Sequence, residues 1–340
     1  MNVRNFKLKT EFVAVIFLLF AALMIPCSAG AADLGASKKL SIAVIPERAD
    51  LDFWKLLKKG AESAALSDEN IKMLWIAPAG LGCFKEQQKQ IEWCIKNNVD
   101  AIVVSPVHRH KMEQSLRKAL QKGIPVIQMV SNTFKDLKGG NIYSNNFEGG
   151  VLAANYLDKK MNGSGNVILG LFKKGNSPVK QRVEGFKEQL KKLNSNLKVV
   201  KAVYVGGHPK KGSSKIRIAM WSSGKDLNST PKIKAVVGMN ESSSEILIET
   251  LKNIKRIKGL TFVAFNPDST MVQLIQDEVI SAGVAQDPYR IGRLAVTQAA
   301  MAARGQKVPS ETVTEVYLIT KENLSDPKIQ EILGLKDRTN

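Results

Sequence analysis

The sequence is poor in the residues that carry most enzyme chemistry. Its 340 residues include only three cysteines and three histidines, and 6% of the chain is aromatic. His108 and His110 stand two residues apart with no acidic cluster beside them, which is poor spacing for a metal site. The chain also has no G-x-S-x-G motif and no phosphate-binding loop. The sequence therefore predicts no catalysis, no cofactor and no metal.

Acidic residues are scarce relative to basic ones. Thirty-one Asp and Glu residues face 50 Lys and Arg residues, and the formal net charge is +19. The lysines are scattered, they are not interleaved with aromatic residues, and the chain shows no nucleic-acid-binding motif. We therefore expect a solvated basic surface, suited to anionic membranes or acidic partners, and no nucleic-acid partner.

Only one long apolar run is present, and it lies at the N-terminus. Basic residues precede the run Phe12–Pro26, and small residues follow it up to Ala32. This order is typical of a secretory signal peptide, and the run is shorter than the roughly 20 residues of a membrane span. We predict a cleaved signal peptide over residues 1–31, and hence export. Cleavage leaves a net charge of about +17.

Two alternatives to this cleavage stay open. Cys27 could carry a lipid anchor, although such sites usually have a small residue where this chain has Pro26. An uncleaved anchor is the other alternative, and the small residues after the apolar run argue against it. After cleavage the remaining cysteines are Cys83 and Cys94. A disulfide between them is left open, because they lie roughly 16 Å apart along a predicted helix and the preceding loop would have to fold back.

The rest of the chain alternates short apolar runs with amphipathic stretches. This rhythm predicts α/β architecture with parallel sheets wound on both sides by helices. The strands are too many for one sheet, so we expect two lobes, with a first βα series ending near Tyr143 and a second starting near Val167. Thr312–Ile319 is predicted as one last strand.

Ligands of open parallel sheets bind outside the carboxyl ends of the strands, so the residues after each strand carry the site. These residues are rich in amides and include an aromatic pair. Such a set suits hydrogen bonding and stacking in an enclosed cleft. The predicted ligand-binding residues are Phe53, Trp54, Asn145, Lys180, Asn240, Asn266 and Gln286. Helix capping by the amides and core packing by one of the aromatics are the alternatives.

A set of short motifs spread over the whole mature chain completes the prediction. They include Phe53-Trp-x5-Gly60-Ala61, Gly123-Ile-Pro-Val-Ile127, Ser144-Asn-Asn146, Arg182-x-Glu-Gly-Phe186 and Gly283-x-Ala-Gln286. In this order and spacing the chain resembles the type I periplasmic binding proteins of the ribose-binding kind. The resemblance implies two lobes joined by three crossings near Asn145, Gln286 and Tyr317. It implies an N-terminal lobe of residues 36–145 plus 287–316 and a C-terminal lobe of residues 146–286 plus 317–340.

The site departs from the sugar binders of this family at several positions. Where those proteins carry an Asp-Arg pair after the fourth strand, this chain has Val130 and Ser131. Lys180 replaces an arginine, Asn266 replaces an aspartate, and Leu51 replaces an asparagine. Sugar hydroxyls are usually held by charge-assisted hydrogen bonds, so these departures leave the ligand open.

A second resemblance points to a different partner. Ala79-Gly80 followed by Gln87-Gln88-x-Gln90-Ile91-x-x-Cys94 is similar to the TorT-like periplasmic proteins that sense trimethylamine N-oxide. It implies docking on a membrane sensor histidine kinase. We therefore expect a periplasmic protein that closes on a small ligand and presents it to a membrane partner. The kinase is slightly favoured, and the alternative is the permease of an ABC transporter for a sugar or sugar-like solute.

Two further classes of protein fit the sequence less well. A transcriptional regulator with this fold would need an N-terminal helix-turn-helix, where this chain has a signal peptide. An exported enzyme would need a nucleophile beside a base, and no such pair is evident.

Overall fold

The computed structural model describes residues 39–78, 83–131, 134, 139–206, 208–222, 233–336 and 338. The predicted signal peptide 1–31, the alternative lipid site at Cys27 and the motif Ala79-Gly80 lie outside the described residues. Within the described part of the chain, none of the helices has the length and hydropathy of a membrane span.

Strands and helices alternate along the chain. The strands are β1 (Leu40–Ile45), β2 (Ile71–Trp75), β3 (Ala101–Val104), β4 (Val126–Met129), β5 (Asn141–Ser144), β6 (Ser164–Leu171), β7 (Asn196–Tyr204), β8 (Ile233–Gly238), β9 (Thr261–Phe265), β10 (Ala282–Gln286), β11 (Thr312–Thr314) and β12 (Val316–Ile319). The helices are α1 (Asp52–Leu66), α2 (Phe84–Lys96), α3 (Arg109–Gln121), α4 (Asn146–Lys160), α5 (Ser177–Lys192), α6 (Pro209–Ser222), α7 (Glu241–Asn253), α8 (Ser269–Gln276), α9 (Pro288–Ala303) and α10 (Pro327–Ile332).

The strands form two six-stranded sheets. The first has the order β11-β5-β4-β3-β1-β2 and is parallel throughout. The second has the order β12-β10-β9-β8-β6-β7 and is parallel except for β12, which runs antiparallel to β10. This is the two-sheet α/β architecture of a type I periplasmic binding protein, so the predicted fold class is confirmed.

Each sheet is covered on both faces, as the continuous apolar strands predict. In β1, Ile42 and Val44 belong to one core cluster, whereas Ala43 and Ile45 belong to another. In β9, Phe262 and Phe265 likewise separate into two clusters. Because alternate residues of a strand point to opposite faces, strands buried on both faces need apolar residues at nearly every position.

The chain passes between the sheets three times. It leaves the first sheet after β5, returns to it from β10 through α9, and leaves again between β11 and β12. The segment predicted as one strand, Thr312–Ile319, is therefore two strands in different sheets, separated at Glu315. Strand β5 was not predicted. The boundaries of the two lobes, 36–145 plus 287–316 and 146–286 plus 317–340, stay a prediction.

Close helix contacts fix the position of α1 and hence of the loop before it. A Cβ atom added at Gly292 of α9 would overlap the carbonyl oxygen of Leu57, and one at Gly60 would overlap the carbonyl oxygen of Tyr289. Only glycine permits this approach of the two helix backbones. The first turn of α1, with Phe53 and Trp54, is thereby held at the carboxyl end of the first sheet.

The disulfide left open by the sequence is absent. Cys83 is an exposed residue at the N-terminus of α2, Cys94 is buried near the end of the same helix, and both are free thiols. The helix separates the two residues by three turns, and Cys94 packs into the core beside Ile91. Burial raises the pKa of the Cys94 thiol to about 12, as expected of an unreactive core cysteine.

Candidate functional site

The largest cavity near the strand ends lies where the carboxyl ends of both sheets meet. Its volume is about 550 Å³, within the range of roughly 300–1,000 Å³ that is usual for small-molecule sites. Residues that follow β1, β3, β4, β6, β8 and β9, together with the last residue of β10, line it. Both sheets thus contribute to a single cleft, as the parallel strand directions predict.

The aromatic pair forms part of the cleft wall. Phe53 and Trp54 are 8% and 5% exposed, and their rings meet edge to face with centroids 5.2 Å apart. Both residues line the cavity and both also pack into the core of the first sheet. Core packing is therefore compatible with a place in the cleft wall, and ligand contact stays a prediction.

An amide pair forms the wall at the end of β10. The Gln286 Nε2 group donates a hydrogen bond of 3.0 Å to Asn266 Oδ1, and both residues line the cleft. The Gln286 side chain is buried, and its Oε1 has no hydrogen-bond partner among the described residues. A buried acceptor without a partner costs about 1–3 kcal/mol, so a ligand donor at this point would be stabilising.

Asn240 lines the cleft at the end of β8 and also caps α7. Its Oδ1 accepts a hydrogen bond of 3.2 Å from the backbone N–H of Ser243. Since the cap uses the oxygen, the Nδ2 group is the part of this side chain that can donate to a ligand. Capping and ligand contact are again compatible.

Two predicted site residues are placed less favourably. Lys180 lines the cleft, but its side chain is 76% exposed and lies 3.5 Å from Glu184 Oε1. Asn145 is an exposed N-cap of α4 that accepts a hydrogen bond from the backbone N–H of Glu148, and it does not line the cleft. The adjacent Asn146 is buried instead.

Arg182 is a cleft residue that the sequence prediction omitted. It is 3% exposed, its Nε donates to Asn146 Oδ1 at 2.9 Å, and its Nη1 donates to the Met239 carbonyl oxygen at 2.8 Å. The guanidinium also stacks on the Phe265 ring, 4.9 Å from its centroid. Burial lowers the pKa of Arg182. The family motif beginning at Arg182 was the available signal, but it was used only to identify the family.

Charged side chains also meet across the cleft. Arg48, which follows β1 of the first sheet, donates from Nη1 to Ser242 Oγ at the start of α7, at 3.2 Å. Glu47 Oε1 lies 3.7 Å from Lys173 Nζ, which follows β6 of the second sheet. Burial raises the pKa of Glu47 despite this lysine. These contacts join residues of the two sheets around the cavity.

Three carboxyl groups lie close together near the starts of α7 and α8. One oxygen from each of Glu241, Glu245 and Asp268 lies within 4.8 Å of the others, and this is the one such group in the described chain that could hold a metal ion. Glu241 is 4% exposed. Burial, reinforced by neighbouring carboxylates, raises the pKa of Glu241 to about 9 and that of Glu245 to about 7. The sequence prediction omitted all three.

Comparisons with known proteins agree with this fold. A family model described as "periplasmic binding protein domain" matches residues 42–307. The ribose import binding protein RbsB of Bacillus subtilis is 24% identical over 316 residues, which cover 91% of this chain and 99% of that protein.

Two solved structures extend the likeness. A solute-binding protein of Agrobacterium vitis bound to α-D-tagatopyranose superposes with a TM-score of 0.79 at 24% identity, covering 87% of this chain and 99% of that one. An ABC transporter solute-binding protein of Burkholderia graminis in complex with D-arabinose gives a TM-score of 0.77 at 26% identity, covering 85% of this chain and 98% of that one. The chain belongs to the type I periplasmic binding protein family.

Proposed function

We propose that this member of the type I periplasmic binding protein family binds a small polyhydroxylated solute and delivers it to the permease of an ABC transporter. The observation that carries the proposal is the cleft wall in which the aromatic pair Phe53 and Trp54 adjoins the buried, unpartnered acceptor Gln286 Oε1. A sugar or cyclic polyol offers an apolar C–H face to aromatic rings and hydroxyl donors to amide oxygens.

Residues that differ from the usual sugar site of the family lie in the wall of the cleft. Val130 and Ser131 line the cavity where the Asp-Arg pair of the family's sugar binders is expected. Charged groups stand elsewhere in the wall, namely Arg182 and Glu241, both of which are buried. Buried charged groups make the stronger, charge-assisted hydrogen bonds, so this cleft selects hydroxyls with a different spatial pattern.

The transporter is favoured over the histidine kinase as the partner. The ribose import protein and the D-arabinose complex are both named for import or ABC transport. The TorT-like segment, in contrast, has structural contacts in its described part. Gln87 Nε2 donates to the Ser105 carbonyl oxygen, and its Oε1 accepts from the Val107 N–H. These contacts hold the β3–α3 loop, so Gln87 has a structural role, and none of the comparisons names a kinase partner.

In this proposal the protein acts in the periplasm, outside the cytoplasmic membrane, and catalyses no reaction of its solute. The predicted signal peptide over residues 1–31 supports export. Binding across two sheets joined by three crossings favours a hinge motion that closes the cleft, and the closed form is the one that a permease would recognise.

A thermal-shift screen tests the proposal. The chain is purified from an exporting host and mixed with D-ribose, D-arabinose, D-tagatose, xylitol and myo-inositol. At least one of these compounds should raise the melting temperature, and the rise should grow with the logarithm of ligand concentration, because binding stabilises the folded form alone. Gln286→Ala should weaken that binding about tenfold, since one buried hydrogen bond contributes roughly 1.4 kcal/mol. The exposed Gln276→Ala is the control.

The partner requires a genetic test. Deletion of the gene should abolish uptake of the solute identified in the screen. Unchanged uptake, together with loss of a transcriptional response to that solute, would restore the kinase alternative. If no polyhydroxylated compound binds, with or without an amino group, the proposed ligand class is contradicted.

A further inference from the structure

A second, smaller cavity adjoins the cleft and is more acidic. Its volume is about 260 Å³. It shares a wall with the cleft, formed by Phe53, Glu241, Asn266 and Gln286, and Asp268 lines it as well. The end of a solute bound in the cleft would therefore meet two carboxyl groups.

No cation of the described chain pairs with these carboxyl groups. None of Glu241, Glu245 and Asp268 lies within ion-pair distance of a described basic side chain. Two neighbouring cations, Arg48 and Lys55, are already paired, and Lys59, which also lines the small cavity, lies beyond ion-pair distance of the three carboxyl groups. Arg48 lies 2.5 Å from Asp50, and Lys55 lies 2.9 Å from Asp52.

Ionisation of all three carboxyl groups is costly unless something positive enters. A buried carboxylate without a counter-charge is unfavourable, and three such groups repel one another when ionised. The Asp268 Oδ1 accepts one hydrogen bond, from the backbone N–H of Met271 at 2.6 Å. This bond caps α8 but supplies no positive charge.

The buried amide of Gln286, on the same wall, independently indicates that the ligand carries a hydrogen-bond donor. Gln286 is 4% exposed and lines both cavities, and its Oε1 has no hydrogen-bond partner in the described chain. In the structure the Nε2 group of this amide donates to Asn266 Oδ1, which leaves Oε1 as the acceptor available to a ligand. The wall thus presents an amide oxygen and carboxyl oxygens, all of which are acceptors when the carboxyl groups are ionised.

We propose that the solute carries a protonated amine, which binds at the wall formed by Glu241, Asp268 and Gln286. The inference rests on the proposed function, and it narrows the ligand class to amino sugars and amino polyols. An alkylammonium group has three donors and no acceptor, which matches a wall of acceptors, and its charge compensates the carboxylates. A hydroxyl group would supply a donor but no charge.

A divalent metal ion is a poorer fit to the same wall. Calcium takes six to eight oxygen ligands, and most of those would have to come from water or from the solute. The wall also lies within a cleft that is large enough for a solute. An ammonium group needs only the two or three acceptors that are present.

Matched pairs of amino and neutral compounds test the proposal by isothermal titration at pH 7. The pairs are D-glucosamine with D-glucose, D-galactosamine with D-galactose, and an amino-inositol with myo-inositol. In at least one pair the amino compound should bind ten or more times more tightly than its neutral partner. Glu241→Gln should reduce this ratio toward one. The exposed Glu249→Gln, on the same helix, should leave the ratio unchanged.

A second variant guards against a folding defect in the first. Asp268→Asn removes a charge but keeps a good helix cap, because asparagine and aspartate cap equally well. It should reduce the same ratio while retaining a wild-type melting temperature. If both variants keep the full preference for the amine, the inference is wrong.

The remaining outcomes separate the two proposals. Equal binding within every pair would overturn this inference and leave the proposed function standing. Failure of every neutral and amino compound, together with the five polyols, would overturn both. A melting temperature raised by calcium chloride alone, and lowered to the apo value by Glu241→Gln, would replace the amine with a metal ion.

Discussion

Glu241→Gln should change how the stability of the protein depends on pH. Burial raises the pKa of Glu241 to about 9 in the folded chain, against an ordinary value of 4.5. Between these values the folded chain holds a proton that the unfolded chain has released. Stability must therefore fall as pH rises through this window. Glutamine has a similar shape and cannot titrate, so the variant should lack this contribution.

The magnitude follows from the width of the window. One such group costs about 1.4 kcal/mol of unfolding free energy for each pH unit. Between pH 6 and pH 8 the wild-type chain should lose about 3 kcal/mol through Glu241 alone, which corresponds to a fall of roughly 4–5 °C in the melting temperature of a chain of this length. Glu245, whose pKa is raised to about 7, is present in both proteins. Its contribution to the pH dependence of stability therefore cancels when the two proteins are compared.

Other charged groups face Glu241 and must be held constant. They are Glu245, Asp268, Asp52 and Arg48, which all remain in the variant. The assay is calorimetric melting of wild-type, Glu241→Gln and Glu249→Gln proteins at pH 6, 7 and 8. The exposed Glu249→Gln should retain the wild-type slope. An identical slope in all three proteins would refute the assignment of a protonated, buried Glu241.

Three further predictions concern the framework of the site. Gly292→Ala should destabilise the chain by about 1–3 kcal/mol in chemical denaturation, because its Cβ atom would overlap the Leu57 carbonyl oxygen; an unchanged midpoint would contradict that contact. Cys83 should react with a thiol reagent in the folded protein and Cys94 only after unfolding, as peptide mapping would show; equal labelling would place Cys94 at the surface. Arg182→Lys should weaken polyol binding in titration, since an ammonium cannot reproduce the planar fork of donors; wild-type affinity would remove Arg182 from the site.

The architecture was largely predictable because it depends on local pattern. Apolar runs of strand length that alternate with amphipathic stretches indicate parallel sheets from the sequence alone. Two errors arose where tertiary context decides the outcome. Strand β5 has only four residues, and the segment Thr312–Ile319 continues as an extended run through Glu315 although its halves join different sheets. Nothing local marks that change of partner.

The site was predictable to the extent that strand ends converge. The structure brings Phe53, Trp54, Asn240, Asn266 and Gln286 around one cavity, and their roles in binding stay predictions. Asn145 does not line this cavity, and its role in binding likewise stays a prediction.

The proximity of the carboxyl groups of Glu241 and Asp268 was not predicted by the same reasoning. Glu241 and Asp268 have the sequence positions of ordinary residues at helix starts, and Asp268 does cap α8. Their proximity arises because β8 and β9, which precede them, are neighbours in the second sheet, and neither this strand pairing nor the burial of Glu241 is marked in the local sequence.

A crystal structure of the chain with the most stabilising polyol or amino polyol of the screens tests the central claim most directly. The account predicts that the solute lies in the cleft against Phe53 and Trp54, with a donor within hydrogen-bond distance of Gln286 Oε1. A solute bound elsewhere on the protein, with this oxygen still unpartnered, would contradict it.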